Sequence, residues 1–473
     1  MSRGMELMKS TGVLAFGKIC TQFVSFFLLP LYTALLVPSE YGVFNLLNTV
    51  VLLLIPVVGW QTDQGAFRLL IDCRNNRSNQ SVVMTTVSLL NVCQCIAYAV
   101  ALSIIYLLCN FDYFVFLLIN LILNVFTASL LQFARGMGKN SVYAMGSFLS
   151  GACAVIGNVM LLVVIPMGLN GMLLALNISQ CISIIYIVLS LKIWKYIKTQ
   201  YYRRATANEI LRYSLPLVPN NLCWWAISMA GTLIVTSFLG TSANGIYSVA
   251  GKFSSAFISI YNVFNLSWSE VISVHINDDD LTKFFSNIFE MIYSLFFWAC
   301  ALVIAVIPFI FSMLVDQSYN SAYIQIPILM IGALAQVFVG LLSAIYIALK
   351  KTKEIAKTSF YAAIVSIVTA LALVGIIGIA GVSLGTFLAF VVMSVYRYHD
   401  VKRRIDFRFN SRLLWLNISI LSISLVGYLT EDLAFEIAGL VLVLVGGYFV
   451  NRRSIKAARR EIGAAVGTRL HRG

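Results

Sequence analysis

The chain has 473 residues, 60% of them hydrophobic and 11% charged, with 33 Lys and Arg against 19 Asp and Glu for a formal net charge of +14. A soluble globular protein carries about 25% charged residues, so this composition excludes an ordinary soluble fold. Its long apolar runs also exclude a β-barrel, whose strands would alternate apolar and polar residues.

A bilayer-spanning helix needs about 20 mostly apolar residues, and about fourteen such runs thread the chain. They lie near 12–36, 41–66, 81–109, 113–134, 141–166, 169–191, 213–239, 243–274, 284–314, 321–348, 356–377, 380–396, 413–429 and 434–450. The expected fold is an all-α integral membrane protein with about fourteen transmembrane helices. The run after Lys9 exceeds the roughly 7–15 apolar residues of a cleaved signal, so the first span is expected to stay as a signal anchor.

Positive charge falls into alternate gaps between these runs. Arg3 and Lys9, Arg74 and Arg77, Arg135 and Lys139, the stretch 192–212, Lys283, 350–357, 397–412 and the tail from Arg452 are basic. The gaps around Pro38, Asp112, Pro166, Thr241, Asp316, Gly378 and Glu431 carry no Lys or Arg. Short loops rich in Lys and Arg stay cytoplasmic, so an even number of spans places both termini inside. The net charge is therefore spent on topology and on anionic lipid headgroups, with no soluble segment long enough to bind nucleic acid. Membrane lipids are the expected surroundings. The tail from Asn451 reads either as an amphipathic surface helix or as a solvated end.

The nine cysteines lack CxxC spacing and the three histidines, His275, His399 and His471, are scattered. Neither a disulfide framework nor a zinc site is indicated, and no cofactor is expected.

A faint duplication organises the chain. Pro38-Ser39-Glu40-Tyr41-Gly42-Val43-Phe44-Asn45 and Thr241-Ser242-Ala243-Asn244-Gly245-Ile246-Tyr247-Ser248 place Ser, Gly and an aromatic at one spacing. Asn170-Gly171-Met172-Leu173-Leu174-Ala175 resembles Ala380-Gly381-Val382-Ser383-Leu384-Gly385 at a similar offset. Two halves of six spans each point the same way, so the repeat axis runs along the membrane normal. The expected domains are 1–205, a six-helix bundle with its cytoplasmic linker; 206–402, a second six-helix bundle; and 403–473, helices 13 and 14 with a basic tail. Two bundles facing one another across a cleft are a transporter's architecture.

Charges inside spans cost roughly 2.5–3.5 kcal/mol each on insertion scales, so those retained usually face a wet interior. Lys18, Asp63, Arg68, Lys252, Glu270 and Glu290 stand out. Lys18 can either line a cleft or snorkel to the inner headgroups. Lys252 has little cytoplasmic charge within reach and reads as cavity-lining. Asp63 and Arg68 fit an inner-mouth ion pair as well as a functional role, Glu270 occupies nearly the position of Arg68 in the other half, and Glu290 fits a salt bridge or a coupling proton. Pro216, Pro219, Asn220 and Asn221 open the seventh span, either as a bent, polar gate helix or as a first-turn proline arrangement. Trp224, Trp225, Tyr261 and Trp268 fit sugar stacking or ordinary apolar packing. Both signs of charge occur with the cations deepest, which suits an anionic cargo.

With its six plus six plus two spans, its Leu215-Pro216-Leu217-Val218-Pro219 opening of the second half, its Glu40–Asn45 turn, its Gly59–Arg68 helix end and its Asn170–Ala175 turn, the chain resembles the polysaccharide transporters of the multidrug/oligosaccharidyl-lipid/polysaccharide (MOP) superfamily. Wzx-type O-antigen flippases are its best-known members. The resemblance implies a MATE-like arrangement and a multi-pass protein of the bacterial inner membrane. It implies translocation of a polyprenyl-diphosphate-linked oligosaccharide, from O-antigen, capsule or exopolysaccharide synthesis, to the periplasmic leaflet by alternating access. Lys18, Arg68 and Lys252 would then contact diphosphate and sugar, Asp63, Glu270 and Glu290 would serve as coupling carboxylates, and a glycan polymerase of the same pathway would be a partner.

Other readings compete. A drug or cation antiporter of the same superfamily would use carboxylates in the first bundle, whereas the first span holds Lys18 and no acid. A lipid II flippase would show more cleft arginines. A major-facilitator carrier would carry a Gly-rich basic loop after its second helix, where this chain reads Arg68-Leu69-Leu70-Ile71-Asp72-Cys73-Arg74. A membrane glycan polymerase or ligase would need a sizeable outer loop for its active site, so the expectation is a protein that is not an enzyme.

Overall fold

The computed structural model describes residues 26–74, 76–274, 281–349, 351–405 and 410–470. Among these the secondary structure is helical, with no strand. Twelve stretches are long and apolar enough to cross a membrane. One of them is bent: the helix Leu217–Val274 breaks at Gly240, whose φ of 87° and ψ of 175° no L residue adopts readily. The protein is a multi-pass membrane protein. The first predicted run lies mostly outside the described residues, which pick it up from Phe26.

In chain order the helices are α1 (Leu29–Leu35), α2 (Pro38–Gly59), α3 (Thr62–Asp72), α4 (Arg77–Cys109), α5 (Phe114–Gly136), α6 (Asn140–Val159) and α7 (Gly168–Leu191). A π-helical turn, Met160–Val164, extends α6. The connector holds α8 (Arg204–Ser214), followed by the bent α9 (Leu217–Val274). Then come α10 (Leu281–Leu314), α11 (Ile326–Ala348), α12 (Thr352–Ile377), α13 (Ile379–Arg404), α14 (Ser411–Thr430) and α15 (Leu433–Leu470). Their starts carry local signals. Pro38 occupies the first turn of α2 and Glu40 accepts from the Val37 N–H, while Asn76 and Asn410 cap α4 and α14 by accepting from the Asn79 and Leu413 N–H groups. The chain forms two compact units, Met1–Val249 and Ala250–Gly473, divided within α9.

The first unit has two apolar clusters stacked along its helices. One joins Leu70, Met84, Val87, Leu130, Phe133 and Ile187; the other joins Leu47, Val51, Cys95, Leu121, Val125 and Leu173. Between them in the sequence of α4 and α5 lie Asn91 and Ser129, a polar level inside the bundle. At the inner end, Arg74 Nε donates to the Gly136 carbonyl at 2.9 Å and Arg135 lies over the Phe67 ring at 4.4 Å. The predicted basic loops thus also fasten helix ends together. The predicted linker is partly folded: Ile210 of α8 is fully buried in the cluster around Leu70 and Phe133.

In the second unit, α14 and α15 dock on α10. Asn417 and Ser294 exchange hydrogen bonds, Ser424 donates to the Ala301 carbonyl at 2.7 Å, and Trp298 donates to the Val443 carbonyl at 3.0 Å. Tyr323 and Tyr428 stack at 4.2 Å, each hydroxyl donating to the other's carbonyl. The tail does not separate from the last span, since α15 runs unbroken to Leu470.

Candidate functional site

The second predicted span is two helices. Trp60 (φ 48°, ψ 23°) and Gln61 (φ 55°, ψ 28°) both adopt the left-handed conformation between α2 and α3. Such residues cost about 1–3 kcal/mol each unless their surroundings hold them. Pro56 removes a helical donor just before the break. Thr62 Oγ1 then lies 2.9 Å from the Gly59 carbonyl and 3.0 Å from Asn91 Oδ1, and Asn91 donates to Ser129 Oγ at 2.7 Å. This buried bridge fixes the break against α4 and α5. The second limb of α9 stays helical at 263–264, about 203 residues on, so the halves differ here.

Asp63 follows the break, half-buried, with Gln64 Nε2 donating to its carboxylate at 2.7 Å. Arg68 pairs with Asp72 at 3.0 Å, both side chains more than half exposed. The structure therefore does not pair Asp63 with Arg68. Lys252 is half-buried on the second limb of α9, about 18 Å from Gly240 at 1.5 Å per residue. Among the described residues nothing pairs with its ammonium. Glu290 accepts from the Asn410 backbone N–H, which ties α10 to the start of α14. Lys18 lies outside the described residues, as does the side chain of Glu270.

Pro216 precedes α9 and Pro219 sits in its first turn, where a missing N–H breaks no helical bond. Asn220 is half-buried, and the exposed Asn221 donates to the Leu217 carbonyl at 3.2 Å. Trp225 donates to the Thr49 carbonyl, and the buried Trp268 donates to the Leu341 carbonyl while packing on Phe264 and Phe285. Tyr261 is buried and donates to Asn265. Trp224 is half-buried.

The duplicated turns meet each other. Within the first unit, a Cβ placed on Gly42 would fall inside the Thr241 carbonyl, and one on Gly245 inside the Pro38 carbonyl. The contacts are reciprocal between equivalent positions of the two repeats. Asn244 donates to the Gly42 carbonyl at 2.8 Å, and Asn45 donates to Asn244 Oδ1 at 3.2 Å and Thr232 Oγ1 at 3.3 Å. The Ser-Gly-aromatic spacing thus marks a close crossing of the two duplicated turns within the first unit.

Sequence reasoning missed Arg397, assigned to a cytoplasmic loop. It is fully buried in α13. Its guanidinium donates to Thr358 Oγ1 at 2.8 and 3.0 Å, to the Val339 and Ile355 carbonyls, and to Ser343 Oγ. One turn further on, Asp400 takes Arg404 at 2.7 Å and the Tyr346 hydroxyl at 2.8 Å. The helical spacing of Arg397, Asp400 and Arg404 was the available signal.

Residues 7–269 match the family described as polysaccharide biosynthesis protein, more than half of the chain. The chain belongs to that family. It is also similar to solved transporters. An inward-facing multidrug resistance MATE family transporter of the MOP superfamily matches with a TM-score of 0.69 at 13% identity, covering 83% of this chain and 98% of that one. The outward-facing form matches at 0.60 and 14%, covering 86% and 98%, and MATE in complex with MaL6 at 0.61 and 14%, covering 86% and 99%. No curated protein matches. The fold is MATE-like.

Proposed function

We propose that the protein is a flippase that carries a polyprenyl-diphosphate-linked oligosaccharide, a repeat unit of O-antigen, capsule or exopolysaccharide, from the cytoplasmic to the periplasmic leaflet of a bacterial inner membrane. The observation that carries the proposal is membership of a polysaccharide biosynthesis family on a transporter fold. Lys252 adds to it: a half-buried cation deep in a span with no described counter-charge suits an anion such as a diphosphate. In this reading Lys252, with Lys18 and Arg68, meets the headgroup, Asp63, Glu270 and Glu290 are the carboxylates available for coupling, and the two bundles rock in alternating access while the polyprenyl tail stays in lipid. Fourteen spans with both termini inside complete the topology, and a glycan polymerase receives the exported unit.

Deleting the gene in its host, then assaying surface glycan and the leaflet holding lipid-linked units, tests this. Complete units trapped on the cytoplasmic side are expected. Units that cross but stay unpolymerised point to a polymerase, and unchanged glycan contradicts the proposal. Lys252→Ala is expected to abolish export at normal abundance, with Lys252→Arg retaining part.

A further inference from the structure

The interior of the first unit holds a second polar feature, distinct from the bridge at the helix break. On α5, Asn120, Asn124 and Thr127 recur at i, i+4 and i+7, one face of a helix. On α7, Asn177 and Gln180 lie at i and i+3. Asn120 Nδ2 donates to Asn177 Oδ1 at 2.8 Å, Asn124 Nδ2 to the Asn120 carbonyl and Oδ1 at 2.9 Å each, and Gln180 Nε2 to Asn124 Oδ1 at 3.4 Å. The four carboxamides form a continuous ladder. Asn124 is ten residues from the start of α5 and Gln180 twelve from the start of α7, so both sit about 15–18 Å deep in a hydrocarbon core of about 30 Å.

Amides at that depth often serve only to join helices. Three observations go further. Gln180 Oε1 and Thr127 Oγ1 have no hydrogen-bond partner among the described residues, and Thr127 is only 6% exposed. Asn124, Asn177 and Gln180 are half-buried as residues, with Gln180 Oε1 itself on the buried side. For Asn124 and Gln180 that exposure is not toward lipid: the exposed apolar side chains Val115 and Ile119 on α5 lie opposite Asn124, and Ile178 and Ile182 on α7 lie opposite Gln180, at 3.6 residues per turn, whereas Asn177 has the exposed Leu174 and Cys181 one turn to either side. An amide group left open at mid-depth away from lipid opens onto a wet interior.

The chemistry of the ladder is neutral. Apart from Arg135 at the inner end of α5, neither helix carries a charged residue. A charged ligand would find no counter-charge on this face. Each carboxamide offers a donor and an acceptor side by side, which matches adjacent hydroxyl and acetamido groups of a pyranose.

We propose that Asn124, Gln180 and Thr127, with Asn177 holding the ladder in place through Asn120, form a sugar-binding face within the first unit, which holds the glycan part of the cargo by neutral hydrogen bonds. The proposal rests on the flippase reading above and assigns hydroxyl recognition to residues other than the lysines. Specificity for a glycosylated over a bare lipid diphosphate then resides in this face.

The test compares two probes with the purified full chain in lipid nanodiscs: a polyprenyl diphosphate, and the same lipid carrying the host's repeat-unit glycan. The native protein is expected to bind the glycosylated lipid about tenfold tighter or more. Gln180→Leu is expected to bring that preference close to one while leaving the bare lipid's affinity unchanged. Thr127→Val, which removes a hydroxyl that has no described partner and so leaves the packing intact, is expected to lower it several-fold, and Gln180→Asn to retain part of it. Preference unchanged in both Gln180→Leu and Thr127→Val overturns the proposal, as does a native protein that binds both lipids equally, an outcome that leaves the flippase reading standing. A native protein that binds neither lipid overturns both. A purely structural role would lower the unfolding temperature of the variants without moving the ratio of the two affinities, and that result also overturns it.

Discussion

A buried polar cluster in one unit contrasts with one in the other. In the first unit it is neutral and incompletely satisfied: the Asn120–Gln180 ladder leaves acceptors free, and the broken second helix is held by hydroxyl and amide groups. In the second it is a full positive charge, Arg397, whose donors all reach Thr358, Ser343 and two carbonyls. A group with every hydrogen bond made has nothing left for a ligand, so Arg397 ties α11, α12 and α13 into a frame. Groups with bonds left over are where cargo can be read. Buried polarity alone does not mark a site; the proposed sugar face combines unspent hydrogen-bonding capacity with partial exposure away from lipid.

The sharpest way to break this contrast is at Arg397. Arg397→Met leaves several buried acceptors without donors and is expected to cost about 3 kcal/mol or more, seen as a lower unfolding temperature and lower abundance. Arg397→Lys keeps the charge but loses the planar fork and should fall between the two. A stable Arg397→Met variant that fails only in transport would move Arg397 into the site.

The crossing of the repeats comes next. At Gly245 even alanine meets the Pro38 carbonyl, and overpacking of this kind typically costs about 1–3 kcal/mol. Gly245→Ala should lower stability or export, measured by unfolding temperature and surface glycan together, whereas Gly251→Ala, with open space around it, should do neither.

The smallest effect concerns an outer loop. Hydrogen bonds from the Ser318 N–H and hydroxyl hold the exposed Asp316 carboxyl below the usual carboxylate range. Because its pKa is lowered on folding, the stabilisation is present above the ordinary carboxylate pKa and fades as pH falls through the folded value. Asp316→Asn should flatten that acid dependence while barely moving the unfolding temperature near neutral pH.

Much of the fold was legible because bilayer physics is simple. Apolar runs and alternating basic gaps located the spans, including the break at Gly240 between the seventh and eighth. The break at Trp60–Gln61 was hidden, since hydropathy does not register two non-glycine residues with positive φ. Arg397 was misplaced for a related reason: a cluster of Arg and Lys reads as loop, and only three-dimensional packing reveals that its first member turns inward. Lys252 was legible as a charge out of place. The amide ladder was not, because Asn and Gln are common in such helices and only the fold shows which of them meet.

Reconstitution tests the central claim most directly. Purified protein in vesicles loaded on one leaflet with a lipid-diphosphate-linked glycan is challenged with a membrane-impermeant reagent that modifies the sugar. The account predicts that native protein exposes the glycan in the opposite leaflet and that Lys252→Ala does not. Transfer no faster than in protein-free vesicles, or equally fast with Lys252→Ala and native protein, would contradict it.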